Sequence, residues 1–372
     1  MKTKQKLGQF FTTNVDHILQ GFEHLVNRKH IVDPYAGGGD LLDWAVRNGA
    51  ASIKGFDIDP KCVNNNISIN DSLAEIPKIG DFNLTNPPYL AKNKMDKTIK
   101  NKYLNNDIED FYLLAIKKII DSGCNEGIII IPVNFFSAEN SDKIRNEFMS
   151  IYGITNINYF QNRVFEDTTY NVVAFHYIKN NTDKRVLRFT MFPNKEKFSF
   201  DVYSKYDYRI GGKDLYDISN CNSILRIKRL TEKDMLSNSG SYQIDGYYND
   251  YNTTKKYKIN KTLKTMIDNN IVLLNCIDGK TNNKICAEDI KFYYKKTCLI
   301  GKHTSRNIAY ITIDNVSINE QRKLICAFNK TLNELRNKYH SLFLTNFRDN
   351  DRKRISFDFC YKLLNYCYQN KI

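Results

Sequence analysis

The sequence has no long hydrophobic run. Its most apolar stretch is four isoleucines, Ile128, Ile129, Ile130 and Ile131, stopped by Pro132, whereas a membrane helix needs about 18 apolar residues. No apolar core follows the charged start Met1-Lys2-Thr3-Lys4-Gln5-Lys6, so neither a secretory signal nor a membrane protein is expected. The nine cysteines include no pair at the Cys-x-x-Cys spacing of a zinc or redox site. Reduced thiols, no metal, and a cytoplasmic location in a bacterial or virus-infected cell are the expectation. Also absent are an internal repeat, a heptad series, a low-complexity tail and a convincing nuclease motif.

What remains is a globular composition, 42% hydrophobic and 26% charged over 372 residues, with room for two or three domains. The net charge of +14 is unevenly placed. Residues 1–180 hold 20 Lys+Arg against 21 Asp+Glu, and residues 181–372 hold 35 against 20. All the excess positive charge therefore lies in the second half, as in a neutral part joined to a part that faces a polyanion.

The first half alternates short β-branched runs with amphipathic stretches. Strands are expected at 31–32, 53–58, 82–84 and 127–132, and helices at 15–26, 41–46, 111–120 and 141–151. Two further strands, near 154–160 and 171–177, have the look of a sheet edge. The βαβα alternation predicts an α/β fold, Rossmann-like, with a mostly parallel, doubly wound sheet. A polar stretch at 178–184 marks the expected boundary between a domain at 1–180 and one at 181–372, whose clearest element is a helix at 320–340.

Three motifs follow expected strands. Asp33-Pro34-Tyr35-Ala36-Gly37-Gly38-Gly39-Asp40 is a turn whose glycines let a ligand approach the backbone. Its acid at the strand end suits an ammonium group rather than a phosphate, which calls for Lys and Ser/Thr. In Gly55-Phe56-Asp57-Ile58-Asp59-Pro60, Asp57 is placed to accept from ribose hydroxyls and Asp59 to cap a turn begun by Pro60. In Asn86-Pro87-Pro88-Tyr89 the two prolines fix the backbone. The Asn86 side-chain oxygen and the Pro87 carbonyl then form a pair of acceptors for one amino group, and Tyr89 offers a face for stacking.

In this order the motifs resemble the gamma class of adenine-N6 DNA methyltransferases of restriction-modification systems, over about residues 5–178. The resemblance implies S-adenosylmethionine as cofactor. Leu7-Gly8-Gln9-Phe10-Phe11-Thr12 is similar to the segment that closes over the methionine end, which implies roles for Gln9, Phe10 and Thr12. Asp33, Tyr35, Gly37 and Gly39 would belong to the Gly-rich loop, and Asp57 and Ile58 to the ribose site. Asp71 stands where the family binds the cofactor's adenine, and Phe165 where it places a ring against the flipped target base. Ala115 stands where the family often has a Phe stacking on the cofactor, with Phe111 as a substitute.

The chemistry agrees with the resemblance. Bonds from both N–H groups of an adenine amine to Asn86 and Pro87 favour a localised lone pair on nitrogen. In-line positioning against a sulfonium methyl does most of the rest. The base must leave the duplex to reach such a site, where Tyr89 and Phe165 would hold it. The basic half is then expected to be an α+β target-recognition domain. Its candidate DNA contacts lie in Lys295, Lys296, Lys302, His303 and Arg306 and in Arg348, Arg352, Lys353 and Arg354. Double-stranded DNA is the expected partner, with a separately encoded restriction endonuclease beside it. An RNA or protein-glutamine methyltransferase, and an inactive DNA-binding relative, are the competing readings.

Overall fold

The computed structural model describes residues 12–92, 95–103, 108–165, 171–180, 184–278, 284–301, 307–346 and 352–371. Gln9, Phe10, Lys302, His303, Arg306 and Arg348 lie outside them. The chain forms two compact units, one of residues 1–212 with 346–351, the other of 213–345 with 352–372.

The first unit is built on a nine-stranded sheet in the order β3-β2-β1-β4-β5-β7-β6-β8-β9. Its strands are β1 (His30–Asp33), β2 (Ser52–Asp57), β3 (Ile67–Ile69), β4 (Phe82–Thr85), β5 (Glu126–Pro132), β6 (Tyr152–Phe160), β7 (Val172–Lys179), β8 (Lys184–Phe192) and β9 (Glu196–Tyr203). The first five pair in parallel, β7 is antiparallel to both β5 and β6, and β9 is antiparallel to β8. The sheet is mostly parallel, as the alternation predicts. The four isoleucines of β5 are fully buried, because both edges of this strand are paired and both faces covered.

Helices make the connections. Gly39, at φ 93°, starts α1 (Asp40–Arg47), and Gly123, at φ 70°, ends α2 (Phe111–Ser122) in the left-handed cap. Next comes α3 (Asp142–Ile151). The single helix expected at 15–26 is instead two short turns, Val15–Ile18 and Glu23–Val26, separated where Gly21 takes φ 89°.

The expected boundary at 180/181 moves. β8 lies parallel to β6, with Ile157 opposite Phe189, so the sheet continues beyond residue 184. The compact unit runs on to Gly212.

In the second unit β10 (Ile227–Arg229), β13 (Val272–Asn275), β14 (Cys286–Asp289) and β15 (Ile308–Ile313) form an antiparallel sheet in the order β10-β15-β13-β14. A separate hairpin pairs β11 (Ser239–Tyr247) with β12 (Thr254–Ile259). The late helix is α4 (Ile318–Lys338), started by a capping box in which Ser317 and Glu320 bond reciprocally, and α5 (Phe357–Lys371) ends the unit. Leu230, Ile244, Tyr257, Leu273, Leu299 and Ile300 lie in its core. All nine cysteines are free thiols. Among the described residues no helix is long and apolar enough to cross a membrane.

Candidate active site

β1, β2, β3 and β4 deliver Asp33, Asp57, Asp71 and Asn86 at or just beyond their carboxyl ends. β1 lies between β2 and β4, so the strand order reverses there and leaves a crevice, the usual ligand site of an open α/β sheet. A cleft opens at this point. Of the residues expected from sequence, Tyr35, Gly37, Asp57, Ile58, Asp71, Asn86 and Pro88 line it. Asp33, Gly39, Pro87 and Tyr89 do not, and are buried.

The Gly-rich loop is clamped to the end of β2. Gly37, at φ 54°, donates its N–H to Asp57 Oδ2 at 2.9 Å, and the Asp59 N–H donates to Oδ1 at 2.8 Å. Burial raises the Asp57 carboxyl above its ordinary range, and these two amides oppose the rise. Asp59 caps the turn Pro60–Cys62 by accepting from the Lys61 N–H at 3.0 Å. The two acids thus divide as their spacing predicts: Asp59 turns the chain, and Asp57 lines the cleft.

Asp33 is held from two sides. Its Oδ1 accepts from the Thr85 hydroxyl at 2.5 Å and from the Tyr35 N–H at 3.0 Å. Burial pushes this carboxyl up to about 7 in spite of both donors. Asp71 shows the opposite balance. Burial raises its carboxyl too, but Lys102 Nζ at 2.7 Å and the Tyr103 hydroxyl at 2.8 Å outweigh burial and leave it lowered.

Tyr103 also packs edge-on against Phe111, with centroids 5.4 Å apart, and both rings line the cleft with Ile99. Phe111 therefore supplies the aromatic wall, while Ala115 is buried inside α2. Pro34, Asn70, Ser72, Leu73, Ile99 and Tyr103 complete the lining and went unread in the sequence. Asn70 and Ser72 flank Asp71 and could have been found from it. Ile99 and Tyr103 carry no local signal, because only the folded chain brings their helix (Lys97–Tyr103) to the cleft.

Asn86 is fixed at both ends of its amide. Nδ2 donates to Thr12 Oγ1 at 3.0 Å, and Oδ1 accepts from the Tyr89 hydroxyl. That hydroxyl also lies 2.7 Å from the Ile130 carbonyl of β5, and Tyr89 is only 5% exposed. Phe165 lies away from the cleft lining. It is buried, its carbonyl accepts from Arg163 Nε at 2.5 Å, and it borders a separate depression with Asn14, Arg163 and Val164. Thr12 and Asn14 connect the two places, since Asn14 Nδ2 donates to the Val164 carbonyl at 3.1 Å.

The basic candidates are placed differently from one another. Lys295 Nζ sits 5.1 Å from the Phe292 centroid and Lys296 Nζ 4.2 Å from that of Tyr247. Arg352 Nε donates to the Asp278 carbonyl at 3.2 Å. Lys353 is buried, and its carbonyl accepts from the Asp278 N–H. Arg354 is half-buried and bridges to Ile277.

The strand order, the cleft at its reversal and the acid at the end of β2 define an S-adenosylmethionine-dependent methyltransferase fold. The lining suits that cofactor: Asp57 for ribose hydroxyls, a tight glycine loop, and an aromatic wall of Phe111 and Tyr103. Residues 38–165 match the model of the Eco57I restriction-modification methylase family.

Among solved structures, the type IIL restriction-modification enzyme MmeI in complex with DNA is 12% identical, with a TM-score of 0.55 over 94% of this chain and 64% of that one. At that identity the likeness shows the fold. A modification subunit of a putative type I restriction enzyme from Vibrio vulnificus YJ016 is 16% identical (TM-score 0.40, 51% of this chain). The EcoKI M protein is 15% identical (TM-score 0.37, 45% of this chain). The chain spans about half the length of these two, 48% and 46%. No curated protein matches the sequence.

Proposed function

We propose that the chain is a site-specific DNA methyltransferase that moves a methyl group from S-adenosylmethionine to the 6-amino group of a flipped-out adenine. The observation that carries this reading is Asn86-Pro87-Pro88-Tyr89 at the end of β4, with Asn86 and Pro88 lining the cleft. When bound, the cofactor supplies an electrophilic methyl group. Asn86, its amide held by Thr12 and Tyr89, accepts one amino hydrogen through Oδ1 and the Pro87 carbonyl accepts the other. A separately encoded restriction endonuclease is the natural counterpart of such an enzyme.

The test offers labelled S-adenosylmethionine with unmethylated duplex DNA, RNA and protein in parallel. Label should enter DNA alone and appear as N6-methyladenine after nucleoside digestion. Label in RNA or on protein glutamine overturns the reading, and so does its absence from every acceptor.

Asp33 adds a pH prediction for folding. The folded state holds its proton up to about 7, above the unfolded carboxyl's 3.8, so the contribution of Asp33 to stability declines as pH climbs from about 4 to about 7. Thermal melting across that range should show the decline in the wild type and its loss in Asp33→Asn.

A further inference from the structure

In the second unit Phe292 and Tyr293 are exposed at 63% and 64%, the most exposed large apolar side chains among the described residues. They are neighbours, packed edge to face with centroids 5.1 Å apart. The turn that carries them is firmly built. Asp289 caps it by accepting from the Lys291 and Phe292 N–H groups, each at 3.0 Å, and Ile290 is fully buried beneath it. On the far side the Tyr294 ring lies flat on Tyr251 at 4.5 Å, and its hydroxyl donates to Glu288 at 2.7 Å. A rigid turn that keeps two aromatic rings in water marks an interaction surface rather than a loose loop.

The surroundings say what it meets. Lys295 stands beside Phe292, and Lys296 beside Tyr247 on β11. Across the same hairpin Lys256 and Lys258 of β12 are exposed while Tyr257 and Ile259 are buried, so strand alternation puts both lysines on the outer face. Flat rings bracketed by ammonium groups match bases bracketed by phosphates. An apolar protein partner would gain nothing from these lysines, whose half of the chain carries the whole positive excess. We propose that Phe292 and Tyr293 form an aromatic wedge that stacks on bases at an opened step of duplex DNA, with Lys295 and Lys296 on the adjoining phosphates. The proposal rests on the reading of the chain as a DNA enzyme.

The experiment uses the full chain and a duplex in which 2-aminopurine replaces single bases across the binding site, titrated at several salt concentrations. Phe292→Ala with Tyr293→Ala should weaken DNA binding about tenfold or more. It should also abolish the 2-aminopurine emission change that the wild type produces. It should leave the salt slope intact, because no charge is removed. Lys295→Ala with Lys296→Ala should flatten that slope by up to about two units. Unchanged melting and unchanged S-adenosylhomocysteine binding certify that both variants fold. Wild-type affinity in the aromatic variant, on DNA that the wild type binds, overturns the wedge and leaves the DNA reading standing, as it would if the rings dock a protein. A wild type that binds no DNA at any salt overturns both.

Discussion

Replacing Asn86 by alanine lowers kcat for methyl transfer by at least about 100-fold, a loss of about 2.7 kcal/mol of transition-state stabilisation, while cofactor affinity changes little. The size follows from what the side chain does in the proposed mechanism. An adenine amine is a poor nucleophile because its lone pair is spread into the ring. Two fixed acceptors stabilise the nitrogen only as it turns tetrahedral, so removing one penalises the transition state more than the ground state. The fixing is visible in the fold. Thr12 holds the Asn86 amide nitrogen at 3.0 Å, and the Tyr89 hydroxyl reaches both Asn86 Oδ1 and the Ile130 carbonyl. Alanine leaves that hydroxyl its bond to Ile130 and is therefore well tolerated by the fold. Single-turnover kinetics on duplex DNA, with calorimetry of S-adenosylmethionine, separates the two effects. Turnover near that of the wild type in Asn86→Ala would remove the acceptor pair from the mechanism.

Much of the first unit was legible because its signals are local. A β-branched run ending in Asp33, a glycine turn and an amphipathic stretch fix one βα unit within some twenty residues, and the same grammar places Asp57 and Asn86 at strand ends. The misses are the features that depend on distant partners. The polar stretch at 178–184 has the composition of a linker. Whether such a stretch ends a domain or joins two strands depends on β8 finding β6 in register, with Ile157 opposite Phe189, and composition does not record that. β3, only three residues long, is too short for alternation to show. The helix expected at 15–26 has the right spacing throughout, and a single positive φ at Gly21 divides it.

The site divides in the same way. Acids, glycines and the Phe111 ring were identified by type and position, but the rest of the cleft wall was not. Tyr103 belongs to a lysine-rich helix without a motif, and only folding brings it against Phe111 and Asp71. Charge is the weakest guide of all. Arg352, Lys353 and Arg354 read as one basic cluster, yet Lys353 is buried and Arg352 bonds the Asp278 carbonyl. By contrast, Lys295 and Lys296 stand beside exposed and half-exposed rings.

Arg145→Ala lowers the stability of the first unit by about 3–5 kcal/mol, the cost of withdrawing a buried donor from several carbonyls and opening a cavity in its place. Arg145 is fully buried. Its guanidinium donates to the carbonyls of Phe135 at 2.8 Å, Ala138 at 3.2 Å and Asp207 at 2.7 Å, and pairs with Asp142. Alanine leaves three carbonyls and a carboxylate without this donor and opens a void the size of the side chain. The melting temperature should fall by roughly 6–20 °C, at about 2–4 °C per kcal/mol for a unit of this size. The loss should also reach the site. Phe135 and Ala138 belong to the turns that leave β5, and β5 supplies the Ile130 carbonyl that steadies Tyr89 behind Asn86. Measured well below the melting point, kcat should therefore fall by several-fold, far less than in Asn86→Ala. Arg145→Lys, which restores a charge but only part of the fork, should recover part of the melting temperature. Melting within about 2 °C of the wild type in Arg145→Ala, a change of ~1 kcal/mol or less, would show that water or rearranged backbone replaces the guanidinium, and that this pair does not hold the carboxyl end of the sheet.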